Sequence, residues 1–246
     1  MNTIPTVTKN LLIINALFFL ATLVAPKYGI HLEQYLGLHY FLAKDFNLAQ
    51  LITYMFMHGG FTHLFFNMFA VWMFGSLLER TWGARRYLFY YMVCGIGAGL
   101  IQLLVAYLRI RMLEPHITPE MMAQIYDQGA AIILSGQNYV DPIWGQLNAL
   151  YNAPTVGASG AIFGILLGFG MSYPDERIIV FPIPIPIKAK YLVIGYALIE
   201  LYSGVLNNPY DNVAHFAHLG GMLFGLILML YWRHKDKLKG NGFYYQ

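Results

Sequence analysis

The chain has 246 residues, of which 58% are hydrophobic, 16% aromatic and only 11% charged. An ordinary soluble domain carries roughly 25% charged residues, so this chain has too little charge to cover a soluble surface. Its aromatic content excludes disorder, and the single Cys94 excludes a disulfide scaffold. A net charge of +3 is too small to point to nucleic acid. The expected solvent is the bilayer.

A helix crossing about 30 Å of hydrocarbon needs about 20 mostly apolar residues. The first such segment is predicted over residues 11–25. No basic cluster precedes it and no small-residue cleavage site follows, so it reads as a retained span rather than a removed signal peptide. Residues 26–50 then form a long connection. The second span is predicted over 51–78, broken early at Gly59-Gly60, and the third over 87–108. A second long connection, 109–157, holds Pro115, Pro119, Pro142 and Pro154 beside an apolar patch at 130–134. It suits short helices on the membrane surface or an ordinary extramembrane loop. The fourth span is predicted over 158–173, the fifth over 189–206 and the sixth over 213–232. Between the fourth and fifth, Pro182-Ile183-Pro184-Ile185-Pro186 cannot be helical, which predicts an extended linker. The expected fold is an all-α membrane protein, a bundle of six transmembrane helices in one domain, 1–246.

Orientation follows from the basic residues. Lys9, Arg80, Arg85, Arg86, Arg177, Lys188, Lys190, Arg233, Lys235, Lys237 and Lys239 fall on one side, and Lys27, Lys44, Arg109 and Arg111 on the other. The positive-inside rule puts both termini in the cytoplasm. The absence of a targeting signal favours a bacterial inner membrane.

Polar groups inside a membrane are expensive, so each is a functional hypothesis. The second span carries His58, His63 and Asn67; the fourth opens with Gly157-Ala158-Ser159-Gly160; the sixth carries His215 and His218. At 1.5 Å per residue, His63 stands roughly 25 Å above Arg80, Asn67 roughly 20 Å, Ser159 roughly 24 Å above Asp175, and His218 roughly 22 Å above Arg233. Three helices thus deliver polar groups to one depth in the outward half of the bilayer. The fourth helix supplies only about 21 Å from Ser159 onward, so its start lies below the outer surface at the floor of a cavity. Backbone N–H groups at that start can hold a developing negative charge. Gly160, Gly164 and Gly168, with Gly221 and Gly225, let the fourth and sixth helices approach closely. Ser159 and His218 would then meet as an activated nucleophile and its base. Asp211 lies two turns from His218, roughly 10 Å along the axis, so the site reads as a dyad without an acid.

These residues resemble the rhomboid family of intramembrane serine proteases. The matching pieces are His63-Leu64-Phe65-Phe66-Asn67, Gly157-Ala158-Ser159-Gly160, and Ala217-His218-Leu219-Gly220-Gly221 with Gly225. They span the six-helix core, about 10–235, in the family's order. The resemblance implies that Ser159 is the nucleophile and His218 the general base. It further implies that His63, Asn67 and the Ser159 N–H form the oxyanion hole. Substrates would be membrane proteins cut in or near a transmembrane segment, with no metal or cofactor. Two positions depart from the pattern. Residues 26–50 hold neither the Trp nor the Arg common in that loop, and Phe163 stands where some members have a tyrosine over the catalytic histidine.

Other readings stay open at this stage. Ser159 could serve close packing alone, and His63 and Asn67 could be interhelical hydrogen-bond partners. His58 reads as structural, near the outer boundary. His215 lines the water cavity or is an alternative base. Glu79 with Arg80 stitches the cytoplasmic boundary, and Cys94 is an apolar-face residue. One rival function is a metal site or transporter built on His58, His63, His215 and His218. Against it stand the lack of a His-Glu-x-x-His motif and the expectation that no carboxylate lies within the spans. The other rival is an inactive relative that binds membrane clients.

Overall fold

The computed structural model describes residues 3–180, 183–206 and 213–238. Thr6–Val24 forms α1, and its apolar side chains Leu17, Leu20 and Leu23 face outward, as lipid contact requires. The connection after it is not slack. Gln50, fully buried, accepts from the His39 N–H and donates to the carbonyls of Tyr35 and Asp45. Thr53 donates to the Leu36 carbonyl at 2.7 Å. This glutamine and threonine anchor the loop that lacks the expected Trp and Arg.

Short turns at Gln50–Thr53 and Tyr54–Phe56 precede the break at Gly59-Gly60. Helix α2 then runs Phe61–Trp82, with a π-helical stretch at Val71–Gly75. Helix α3, Ala84–Leu113, has 30 residues, roughly 45 Å, and outruns the 87–108 prediction at both ends. Its far end is polar: Arg109 donates to the Gly204 carbonyl at 3.1 Å.

The outward segment contains two helices, α4 (Pro119–Leu134) and α5 (Pro142–Asn152). The prolines begin these helices rather than breaking them, because a first-turn residue has no intrahelical use for an N–H. Thr118 and Asp141 cap the two starts through side-chain oxygens. Ile125, Leu147, Met121 and Tyr40 form a small core of their own between this pair and α3.

Helix α6, Ser159–Ser172, has 14 residues and lies against both α3 and α8 (His215–Leu238). A Cβ on Gly221 would stand 1.8 Å from the Gly160 carbonyl oxygen, so α6 and α8 touch backbone to backbone. Further down, Gly225 admits Tyr90 of α3, Gly168 admits Trp82 of α2 as well as Tyr90, and Tyr90 donates to the Gly164 carbonyl at 2.8 Å. The glycine stripe therefore serves side chains of α2 and α3 as well as the α6–α8 contact. Cys94 is fully buried beside Gly164.

The proline-rich connection is extended, as expected, but it is also paired. Arg177–Val180 (β1) and Ile183–Lys188 (β2) form an antiparallel ribbon, with Arg177 opposite Lys188 and Ile178 opposite Ile187. A two-stranded ribbon is all edge, where proline is tolerated. Pro182 of that motif, Asp211 and Lys239 lie outside the described residues. Helix α7, Ala189–Leu206, matches its predicted limits.

Among the described residues, α1, α2, α3, α7 and α8 are long and apolar enough to cross a membrane, and α6 is the shorter sixth apolar helix. The chain is an integral membrane protein with a helical-bundle fold. The basic sides of the helices gather at one end. There Glu79 accepts from the N–H groups of Val7 and Thr8 and from the Thr8 hydroxyl, at 2.7–2.9 Å. Arg80 reaches the Thr3 carbonyl, Arg86 pairs with Asp236 at 2.9 Å, and Arg233 donates to the Met171 carbonyl. The boundary role read for Glu79 holds, though what it ties down is the start of a helix.

Candidate active site

The site is built around one turn of chain. Gly157 enters α6 with φ 129° and donates its N–H to the Tyr54 carbonyl at 2.9 Å. A Cβ there would fall 2.8 Å from His63 Cε1 and 3.5 Å from Ser159 Oγ. Backbone angle and space both demand glycine, and the His63 ring closes over the turn beside the serine. Ser159 is the first residue of α6 and half-buried. The N–H groups of this first turn have no intrahelical acceptor.

Ser159 Oγ lies 2.7 Å from His218 Nε2. Phe163, one turn further along α6, stacks on the His218 ring with centroids 4.2 Å apart and planes within 8°. The ring lacks the tyrosine hydroxyl but still fixes the imidazole plane.

Nδ1 of His218 meets an acid that was not expected. Glu200 of α7 places Oε2 3.0 Å from it, in ion-pair range although not aligned as a hydrogen bond. The same oxygen lies 2.6 Å from Nδ1 of His215. Glu200 is 8% exposed and sits inside the fifth apolar helix, so the expectation of spans free of carboxylates was wrong. Spacing along the sequence from His218 points to Asp211. The Glu200 side chain comes from a neighbouring helix. The signal was present: Glu200 is the one acidic residue in the apolar stretch 189–206.

Asn67, one turn from His63, is 7% exposed, and its Nδ2 has no hydrogen-bond partner among the described residues. His58 is buried, its ring edge-on to His63 with centroids 5.1 Å apart. His215 Nδ1 lies 2.6 Å from Glu200, and its side chain is only partly buried. Ser159, His218, His63 and Glu200 are therefore drawn together from four helices, α6, α8, α2 and α7.

One donor atom each from Glu200, His215 and His218 lie within 4.8 Å of one another, and the four histidines form no such group among the described residues. Two ligands of a tetrahedral zinc with bonds of 2.0–2.1 Å stand roughly 3.3 Å apart. The 2.6 Å between His215 and Glu200 suits a shared proton better than a shared metal.

The family model described as "Rhomboid domain" matches residues 45–235. The chain belongs to the rhomboid family. It is similar to rhomboid protein 1, mitochondrial, of Saccharomyces cerevisiae, 28% identical over 82% of this chain and 46% of that protein. It is similar to rhomboid protease AarA of Providencia stuartii, 27% identical over 72% and 53%. Rhomboid-like protein 11, chloroplastic, of Arabidopsis thaliana is 25% identical over 81% and 61%. The chain spans about half the length of the curated relatives it matches.

Proposed function

We propose that this rhomboid-family chain is an intramembrane serine endopeptidase, hydrolysing peptide bonds in or near transmembrane segments of membrane-protein substrates. The observation that carries the reading is the 2.7 Å contact between Ser159 Oγ and His218 Nε2, at the start of a helix too short to cross. His218 takes the serine proton as Oγ attacks the scissile carbonyl, then delivers it to the leaving amine. Water, deprotonated by the same imidazole, releases the acyl group. The Ser159 N–H, Asn67 and His63 are the proposed donors to the oxyanion, and the unpartnered Asn67 Nδ2 supports that role.

The same reading takes residues 1–246 as one membrane domain, with both termini cytoplasmic and the basic, stitched end of the bundle inside. A bacterial inner membrane is the proposed host. An inactive client-binding relative is the rival, and it has no use for a serine and an imidazole at hydrogen-bond distance. A fluorophosphonate that labels active serines decides between them. Wild type labels and Ser159→Ala does not; labelling retained in Ser159→Ala, or absent from wild type, overturns the proposal. Labelling abolished by a chelator would favour the metal reading instead.

A further inference from the structure

We infer that Glu200 is a positioning residue for His218, making the site a relay of carboxylate, imidazole and hydroxyl drawn from α7, α8 and α6. The inference rests on the hydrolase reading above and goes beyond the Ser–His pair. Its first support is geometry: Glu200 Oε2 stands 3.0 Å from Nδ1, the nitrogen of His218 that does not face Ser159. An imidazole that is to accept a proton at Nε2 must carry its own proton at Nδ1, and a carboxylate beside Nδ1 selects that tautomer.

The second support is burial. Glu200 lies inside an apolar helix at 8% exposure, where an uncompensated carboxylate is expensive. A residue of purely structural use there would be better apolar. Two imidazoles converge on its single oxygen, His215 at 2.6 Å and His218 at 3.0 Å. His215 is the closer partner and fixes where the carboxylate points. Once Ser159 gives up its proton, His218 becomes an imidazolium in a site of low dielectric, and the adjacent carboxylate stabilises that charge as it forms. Phe163 confines the ring plane but supplies no charge. Glu200 supplies the charge.

Two substitutions at Glu200 separate charge from shape. Glu200→Gln keeps the volume and removes the carboxylate; Glu200→Asp keeps the carboxylate on a shorter stem. The measurements are the fluorophosphonate labelling rate constant and the kcat and KM for cleavage of a transmembrane substrate. Labelling amplitude reports the folded fraction, so rate constants compare folded protein only. In Glu200→Gln, kcat and the labelling rate should fall about 10²-fold with KM little changed. That is less than the ~10⁴ lost when an aligned triad acid is removed, because the approach to Nδ1 is off line. Glu200→Asp should recover to within about tenfold of wild type. Gln equal to wild type overturns the inference, and so does an equal loss in Gln and Asp, which would mean shape alone. Wild type that labels while Glu200→Gln is unimpaired sinks only the relay. Wild type that does not label sinks the hydrolase reading and the relay together.

Discussion

Two glutamates lie buried in this bundle, and they are buried for different reasons. Glu79, 5% exposed, stands at the basic end and accepts three hydrogen bonds from the start of α1, two from backbone N–H groups and one from a hydroxyl. Glu200 stands at the site and faces two imidazoles instead. The partners of Glu79 are fixed donors that no reaction alters. The partners of Glu200 are imidazoles, a group able to exchange protons near neutral pH. A buried carboxylate answered by backbone groups does structural work, whereas one answered by titratable groups is available to chemistry. The two ends of the molecule differ in the same way. Substitutions at the stitched end should cost stability and spare the chemistry, and those at the site should do the reverse.

The largest effect expected is at the site. Ser159→Ala should lower cleavage of a membrane substrate about 10⁴-fold or more. Its melting in detergent should stay within about 0.5 kcal/mol of wild type, since a small half-buried group is lost. A variant that melts early as well would blur the contrast between the ends. Next in size, Glu79→Ala strips three donors of a charged acceptor, each such bond contributing roughly 1.5–3 kcal/mol before relaxation and water intervene. We expect a net loss of about 3 kcal/mol in thermal unfolding. Cleavage per folded molecule, normalised by fluorophosphonate labelling, should be unchanged.

Between the two ends lies the glycine contact that joins α6 to α8. Gly221→Ala places a methyl 1.8 Å from the Gly160 carbonyl oxygen, and backbone cannot yield as a side chain does. The helices must part, and overpacking of this kind costs about 2 kcal/mol. Here stability and cleavage should fall together, because the same contact holds Ser159 against His218. Full activity with lowered melting would show that the pair tolerates helix separation. A smaller effect is expected one turn along α6. Phe163→Ala removes the ring stacked on His218. Such pairs contribute about 0.5–1.5 kcal/mol, so kcat should drop up to about tenfold with melting lowered only by the lost packing.

Which of these groups were legible in the sequence follows from how each is held. The helices were legible because apolar runs long enough to span hydrocarbon have few alternatives, and α7 matches its predicted limits residue for residue. Ser159, His63, Asn67 and His218 stood out because each interrupts such a run at a common depth. Glu200 interrupts one too, but its use depends on which helix packs beside it, and axial spacing along α8 carries no such information. The anchoring of residues 26–50 by Gln50 was hidden for the same reason. A buried glutamine that bonds three separate loop groups looks like any other in sequence. The proline-rich connection announced extended backbone without revealing that two strands pair, since pairing depends on the partner, Arg177–Val180.

A third carboxylate completes the comparison by being exposed. Asp175 accepts from Lys190 at 2.8 Å and from Lys188 at 2.9 Å, beside the β-ribbon. These two ammonium groups, Lys190 foremost, hold its carboxyl well below the ordinary 3.8, at about 2. A folded-state value below the unfolded one means the pairing stabilises the ribbon when the carboxyl is ionised. That contribution is fully present above about pH 4 and fades as pH falls through about 2. Surface pairs are screened and contribute little, so this is the smallest effect of the series. Thermal melting of wild type and Asp175→Asn should differ slightly at pH 5 and converge toward pH 2, and salt should narrow the gap at pH 5. A gap that survives at pH 2 or ignores salt would mean that Asp175, like Glu79, holds structure by shape and hydrogen bonding rather than by charge.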